Sequence, residues 1–155
     1  MKTRFNLLKA VPQAYGPFIE LDKLLADTHL EPIQREMIKI RTSQINGCAY
    51  CLDMHSKDLR AAGETEQRLL VLDAWREAPF YTDRERAALA WAEAVTKITA
   101  GNVPNEIYEQ ALNQFSEQEL IDLTLAVTTI NTYNRINIAF GVKAGGYEVG
   151  QHAVH

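Results

Sequence analysis

A chain of 155 residues, 46% hydrophobic and 23% charged, has the size and composition of one globular domain, 1–155, with a sizeable core. Its net charge of −4, with basic residues scattered rather than grouped, gives no electrostatic footprint for nucleic acid. No segment approaches a membrane span, and the short stretch Phe5 to Val11, interrupted by Asn6 and Lys9 and stopped at Pro12, lacks the apolar centre of a signal peptide, so a cytoplasmic location is expected.

The predicted elements are all helices, about six to seven of them, and the fold class is all-α. Phe18, Leu21, Leu24 and Leu25 recur at helical spacing within Tyr15 to Thr28, and Pro32 suits the first turn of a second helix running to about Ile45. A third runs from about Cys48 to Ala62 and stops at Gly63, and a shorter fourth spans Glu66 to Trp75 before Pro79. Two capping boxes follow: Thr82 with Glu85 opens the Ala-rich helix Asp83 to Ile98, and Ser116 with Glu119 opens a long helix from Glu117 to about Phe140. Between them a helix begins at Pro104 and continues to about Asn113. No run of alternating β-branched residues is bounded by turn signals, so strands are not expected.

Two of these helices carry packing information. Alanines surround Trp91 in the Asp83 helix, so neighbours are expected to approach it closely on several sides. The last helix turns polar in its second half, at Asn131, Tyr133, Asn134, Arg135 and Asn137 among apolar residues. Such a mixed surface is read as interfacial, with a solvated face as the alternative. From Gly141 onward, with Gly145, Gly146 and Gly150, the chain reads as an irregular arm or frayed end whose His152 and His155 are solvated rather than ligands.

The chemistry concentrates at the two cysteines, Cys48 and Cys51, with His55 four residues beyond Cys51 and Glu36 twelve before Cys48. On a helix the two sulfurs share a face at i and i+3, close enough for a disulfide where the backbone permits one. His55 at i+4 from Cys51 offers a base or proton shuttle at neutral pH. Asn46-Gly47 is a helix-stop signal, placing Cys48 in the first turn of a new helix, where thiolates are stabilised. Three readings follow: inert buried thiols, a zinc site of Cys48, Cys51 and His55 with Glu36 as fourth ligand, or dithiol redox chemistry. Structural zinc prefers four Cys or His ligands and the other histidines are remote, so no metal or cofactor is expected and redox chemistry is favoured. A helix start contributes about 0.3–1 kcal/mol to a thiolate. A cationic imidazole lowers a thiol pKa by about 1 to 3 pH units, which favours Cys51 as the attacking sulfur.

The spacing of Glu36, eleven residues, Cys48-x-x-Cys51, three residues and His55, with Ile45-Asn46-Gly47 directly before the cysteines, resembles the active-site signature of the AhpD-like alkylhydroperoxidases. These belong to the all-helical carboxymuconolactone decarboxylase superfamily. The resemblance is specific from about Glu36 to Gly63 and extends more loosely to Asn134-Arg135. It implies an AhpD-like helical bundle in which Cys51 attacks a hydroperoxide, Cys48 resolves the product, and Glu36 and His55 form a proton relay. It also implies a dithiol or disulfide-reductase electron donor and a homo-oligomer, a trimer or hexamer. The best-known hydroperoxidases of this type carry a histidine just before the second cysteine, where this chain has Tyr50. Tyr50 is read as a packing aromatic, with hydrogen bonding to a peroxide or reductant as its other possible role. The rival readings are a dithiol redox adaptor or disulfide reductase using the same cysteines, and a non-enzymatic helical interaction protein stabilised by zinc.

Overall fold

The computed structural model describes residues 3–4 and 11–152, so the stretch 5–10 and His155 lie outside the described residues. Among the described residues seven α-helices follow one another: α1 Pro12–Ala26, α2 Pro32–Asn46, α3 Ala49–Ala61, α4 Glu66–Leu70, α5 Asp83–Thr96, α6 Asn105–Leu112 and α7 Glu117–Phe140. No strand occurs among the described residues. The all-α expectation therefore holds. Helix α1 begins three residues before the expected Tyr15, because Pro12 fits a first turn, where its missing N–H has no partner to lose.

Both capping boxes form. The Thr82 hydroxyl accepts the Glu85 N–H at 3.2 Å while the Glu85 carboxylate accepts the Thr82 N–H at 2.7 Å, and Ser116 and Glu119 repeat the exchange at 3.3 and 2.8 Å. The expected helix Glu66 to Trp75 is instead split into α4 and a 3₁₀ turn, Leu72–Ala74. In such a turn residues three apart eclipse one another, so Leu72 and Trp75 both face the interior and are almost fully buried.

Helix α2 is the centre of the fold, packed against α3, α5 and α7. The Ala-rich α5 is interior as expected: every residue from Ala87 to Glu93 is buried, and α2, α6 and α7 lie against it. One apolar cluster gathers Leu25, Ile38, Ala88, Trp91, Leu123 and Val127; another gathers Met37, Leu59, Leu72, Trp75 and Leu89. Between α2 and α5 the Glu93 carboxylate accepts from Arg41 Nε at 2.8 Å and Trp75 Nε1 at 2.9 Å, so the buried charge is paired rather than stranded.

Two turns of one design set up the site. Gly47, with φ 72°, stops α2: its N–H reaches the Gln44 carbonyl at 3.3 Å and the Cys48 N–H reaches the Ser43 carbonyl at 3.0 Å. Gly141, with φ 68°, stops α7 in the same way, through Gly141 to Ile138 at 3.2 Å and Val142 to Asn137 at 2.9 Å. This is the Schellman pattern, whose left-handed position favours glycine.

Candidate active site

Because only Gly47 and Cys48 separate α2 from α3, the stop of one helix becomes the start of the next. Cys48 is not inside the helix, as the sequence reading has it, but is the N-cap of α3: its backbone is extended (φ −85°, ψ 93°) and its sulfur accepts the Cys51 N–H at 3.4 Å. An N-cap side chain swings back toward the exposed N–H groups of the first turn, which brings Cys48 Sγ to Cys51 at the third helical position. The two sulfurs are joined as a disulfide, both side chains almost fully buried, packed with Ile130 and flanked by Tyr50 and Tyr133.

One turn further along α3, His55 Nδ1 lies 2.7 Å from Glu36 Oε2, and Lys39 Nζ lies 2.8 Å from the other carboxylate oxygen. Burial alone would push the Glu36 carboxyl up, but the His55 hydrogen bond and the Lys39 charge together hold it well below the usual carboxylate range. Glu36 is therefore ionised at neutral pH. A carboxylate only accepts, so Nδ1 of His55 donates to it and Nε2 is left as the basic nitrogen. The structure thus joins Glu36 to His55 across the α2–α3 turn, and Cys48 within that turn to Cys51.

Sequence reasoning misses a polar seam from α7. Asn46 Nδ2 donates to both Asn131 Oδ1 and Asn134 Oδ1 at 2.9 Å, and the fully buried Asn134 donates to Ser43 Oγ at 3.0 Å. One turn further, Asn137 Nδ2 donates to Cys51 Sγ at 3.3 Å. Tyr133 donates to Asp22 at 2.6 Å, and burial together with this bond raises its phenol pKa. The mixed surface read as interfacial therefore largely finds its partners within the chain: a polar residue amid apolar ones satisfies a buried donor on α2 or α3 just as well as one on another subunit.

The arm beyond Gly141 is irregular, as expected, but not frayed. Gly145 N–H donates to Asp53 at 2.9 Å, Lys57 donates to the Tyr147 carbonyl at 3.0 Å, and the buried Tyr147 donates to both Asp58 oxygens at 2.8 Å. An aromatic side chain buried with its hydroxyl satisfied anchors a segment whose glycines alone would leave it loose. His152 is exposed, yet its ring stacks on Tyr147 at 5.6 Å and its Nε2 lies 3.0 Å from the Tyr50 hydroxyl. Tyr50 thus packs beside the disulfide, as expected, and its hydroxyl is paired with His152. Burial, with the nearby carboxylates of Asp53 and Asp58 adding to it, raises its phenol pKa, so it stays protonated at neutral pH.

An open cleft of about 550 Å³ lies between the two glycine turns, lined by Gly47, Cys48, Tyr50, Asn137, Ile138, Gly141, Val142 and Lys143. Cys48 is on its wall; Cys51 stands behind. As for metals, the disulfide offers no thiolate to a zinc ion in this state. Glu36, His55 and Asp58 bring their ligand atoms within 4.8 Å of one another, with Glu36 shared by Lys39 and Asp58 held by Tyr147. No helix among the described residues is long and apolar enough to cross a membrane.

The fold and site define an all-helical protein with a disulfide at a helix start, one turn from a buried histidine paired with a partly buried glutamate. The sequence matches the carboxymuconolactone decarboxylase family over residues 12–94, and the chain belongs to that family as an AhpD-like member. It is 40% identical over 144 residues to the uncharacterised protein YdfG of Bacillus subtilis, covering 93% of this chain and 98% of YdfG. The crystal structure of an Agrobacterium tumefaciens protein of unknown function, suggested to be the antioxidant defence protein AhpD, superimposes with a TM-score of 0.90 at 40% identity, covering 94% of this chain and all of that one. The debrominase Bmp8 shares the fold alone, with a TM-score of 0.80 at 22% identity over 90% of this chain and 75% of that one.

Proposed function

We propose that this protein is a thiol-dependent peroxidase that reduces hydroperoxides through a Cys48/Cys51 dithiol–disulfide cycle, with Glu36 and His55 handling protons. The observation that supports this most directly is the disulfide at the start of α3, one turn from an imidazole whose orientation an ionised carboxylate fixes. Similarity to a suggested AhpD at 40% identity points the same way.

Before the cycle begins, His55 takes the Cys51 proton and Glu36 stabilises the resulting imidazolium. The Cys51 thiolate then attacks the distal oxygen of the hydroperoxide; the O–O bond breaks, Cys51 becomes a sulfenic acid, and the departing alkoxide takes a proton from imidazolium to leave as an alcohol. The Cys48 thiol condenses with the sulfenic acid, releasing water and forming the disulfide. A donor dithiol must then return two electrons.

Steady-state peroxide consumption with varied dithiol and disulfide-reductase donors tests the reading. Peroxide should disappear in proportion to donor oxidised, and Cys51→Ser should abolish turnover. A protein that exchanges disulfides with thiols but leaves peroxide untouched would instead be a disulfide reductase or redox adaptor. The thiol roles separate by mass spectrometry after one equivalent of peroxide. Cys48→Ser should stall as a Cys51 sulfenate, whereas a sulfenate formed at normal rate on Cys48 in Cys51→Ser would reverse the assignment.

A further inference from the structure

The cycle above leaves the return of electrons undescribed, and the cleft bears on it. We propose that Asn137 is a positioning residue for that half-reaction: it holds the Cys51 sulfur as leaving group when a donor thiolate, entering the cleft, attacks Cys48. The inference rests on the dithiol cycle but not on the identity of the oxidant.

Three observations converge. Cys48 lines the cleft, though almost fully buried, while Cys51 has no exposed surface and does not line it, so a thiolate in the cleft approaches Cys48 Sγ first. Asn137 stands on the same cleft wall and its side-chain N–H points at Cys51 Sγ, 3.3 Å away and 86 residues distant in sequence. Its backbone is fixed as well: its carbonyl receives the Val142 N–H at 2.9 Å in the turn that ends α7, so the amide is presented from a rigid element.

The donor sulfur bonds to Cys48 Sγ, the Cys48–Cys51 bond breaks, and its electron pair leaves on Cys51 as a thiolate. The donor's second thiolate then attacks its own sulfur in the mixed disulfide, releasing Cys48 as a thiolate and closing the donor's disulfide. Exchange is faster when the leaving thiolate is more stable. A hydrogen bond strengthens when its acceptor becomes charged, so the Asn137 contact is stronger to the thiolate than to the disulfide sulfur and favours its departure. The N-terminus of α3 acts in the same direction on Cys51.

The test uses Asn137→Asp, which keeps the shape, removes the donor and adds a like charge, alongside Asn137→Ser. In a Cys48→Ser background, the alkylation rate of Cys51 across pH should show its midpoint raised by about one to two pH units in Asn137→Asp and by less in Asn137→Ser, while dithiothreitol reduction of the disulfide in the single mutants should slow by about 10- to 100-fold, the scale of a hydrogen bond to a charged group. Quenching a partial reduction of the unaltered protein by 2-mercaptoethanol should place the mixed disulfide on Cys48. Midpoint and reduction rate both unchanged in a folded variant, or a mixed disulfide on Cys51, would overturn the proposal. Because no peroxide enters these measurements, they can succeed even if the peroxidase reading fails.

Discussion

Glu36 is held between a histidine and a lysine, and that arrangement dictates how its loss would be felt. On the proposed reading Glu36 and His55 are one proton-handling unit, so Glu36→Gln and His55→Gln should each slow the single-turnover oxidation of Cys51 by about 10- to 10⁴-fold, the range of general acid–base contributions. Members of one unit are not additive, so the double variant should be little slower than the poorer single one. Losses that multiply would mean that the two act separately. The pH dependence of stability has a defined sign. A carboxyl depressed in the folded state contributes stability that is fully present above its unfolded value, near 4.3, and is lost as pH falls through the folded value. The melting-temperature gap between the unaltered protein and Glu36→Gln should therefore persist from neutral pH down to about pH 5 and close only in stronger acid, as calorimetry across pH would read. A gap that closes near neutrality would contradict the ionised carboxylate.

Among the elements, those specified by neighbouring residues are legible in the sequence and those specified by distant ones are not. Thr82 with Glu85 and Ser116 with Glu119 declare their helix starts within four residues, and Gly47 declares the end of α2, because the groups that satisfy the backbone are adjacent in the chain. The 3₁₀ turn at Leu72–Ala74 follows instead from where Leu72 and Trp75 must point once α5 is packed beneath them. The Asn46, Asn131 and Asn134 seam likewise depends on α2 and α7 meeting, which no local pattern announces. The pairing of Glu36 with His55 is reachable from spacing and resemblance; the Asn137 contact with Cys51 is not, since it joins residues 86 apart. Two substitutions measure these elements. Ser116→Ala should cost about 1 kcal/mol by removing the cap of α7. Ala92→Leu, at a fully buried position of α5, should cost about 1–3 kcal/mol through overpacking, both read from denaturant midpoints. A neutral Ala92→Leu would show that α5 has room its burial does not suggest.

For the whole molecule, the asparagine seam no longer argues for an interface, since its members bond within the chain. What remains is apolar surface: Leu24, Leu70, Ile98 and Ile121 are each more than half exposed. From this surface and the family resemblance we propose a homo-oligomer, for which light scattering at low micromolar concentration should give a mass several times 17.5 kDa. A clean monomer would refute it. Fold alone does not choose the chemistry, as the shared architecture of a debrominase shows. The choice lies with the disulfide, the glutamate–histidine pair and the cleft that opens on Cys48. Mixing the fully reduced protein with one equivalent of cumene hydroperoxide in a rapid-quench apparatus, and counting products by mass spectrometry, tests that choice most directly. One Cys48–Cys51 disulfide and one cumyl alcohol should form for each peroxide consumed, far faster than with a small free thiol at the same pH. Cysteines that stay reduced, or react no faster than that free thiol, would contradict the peroxidase reading.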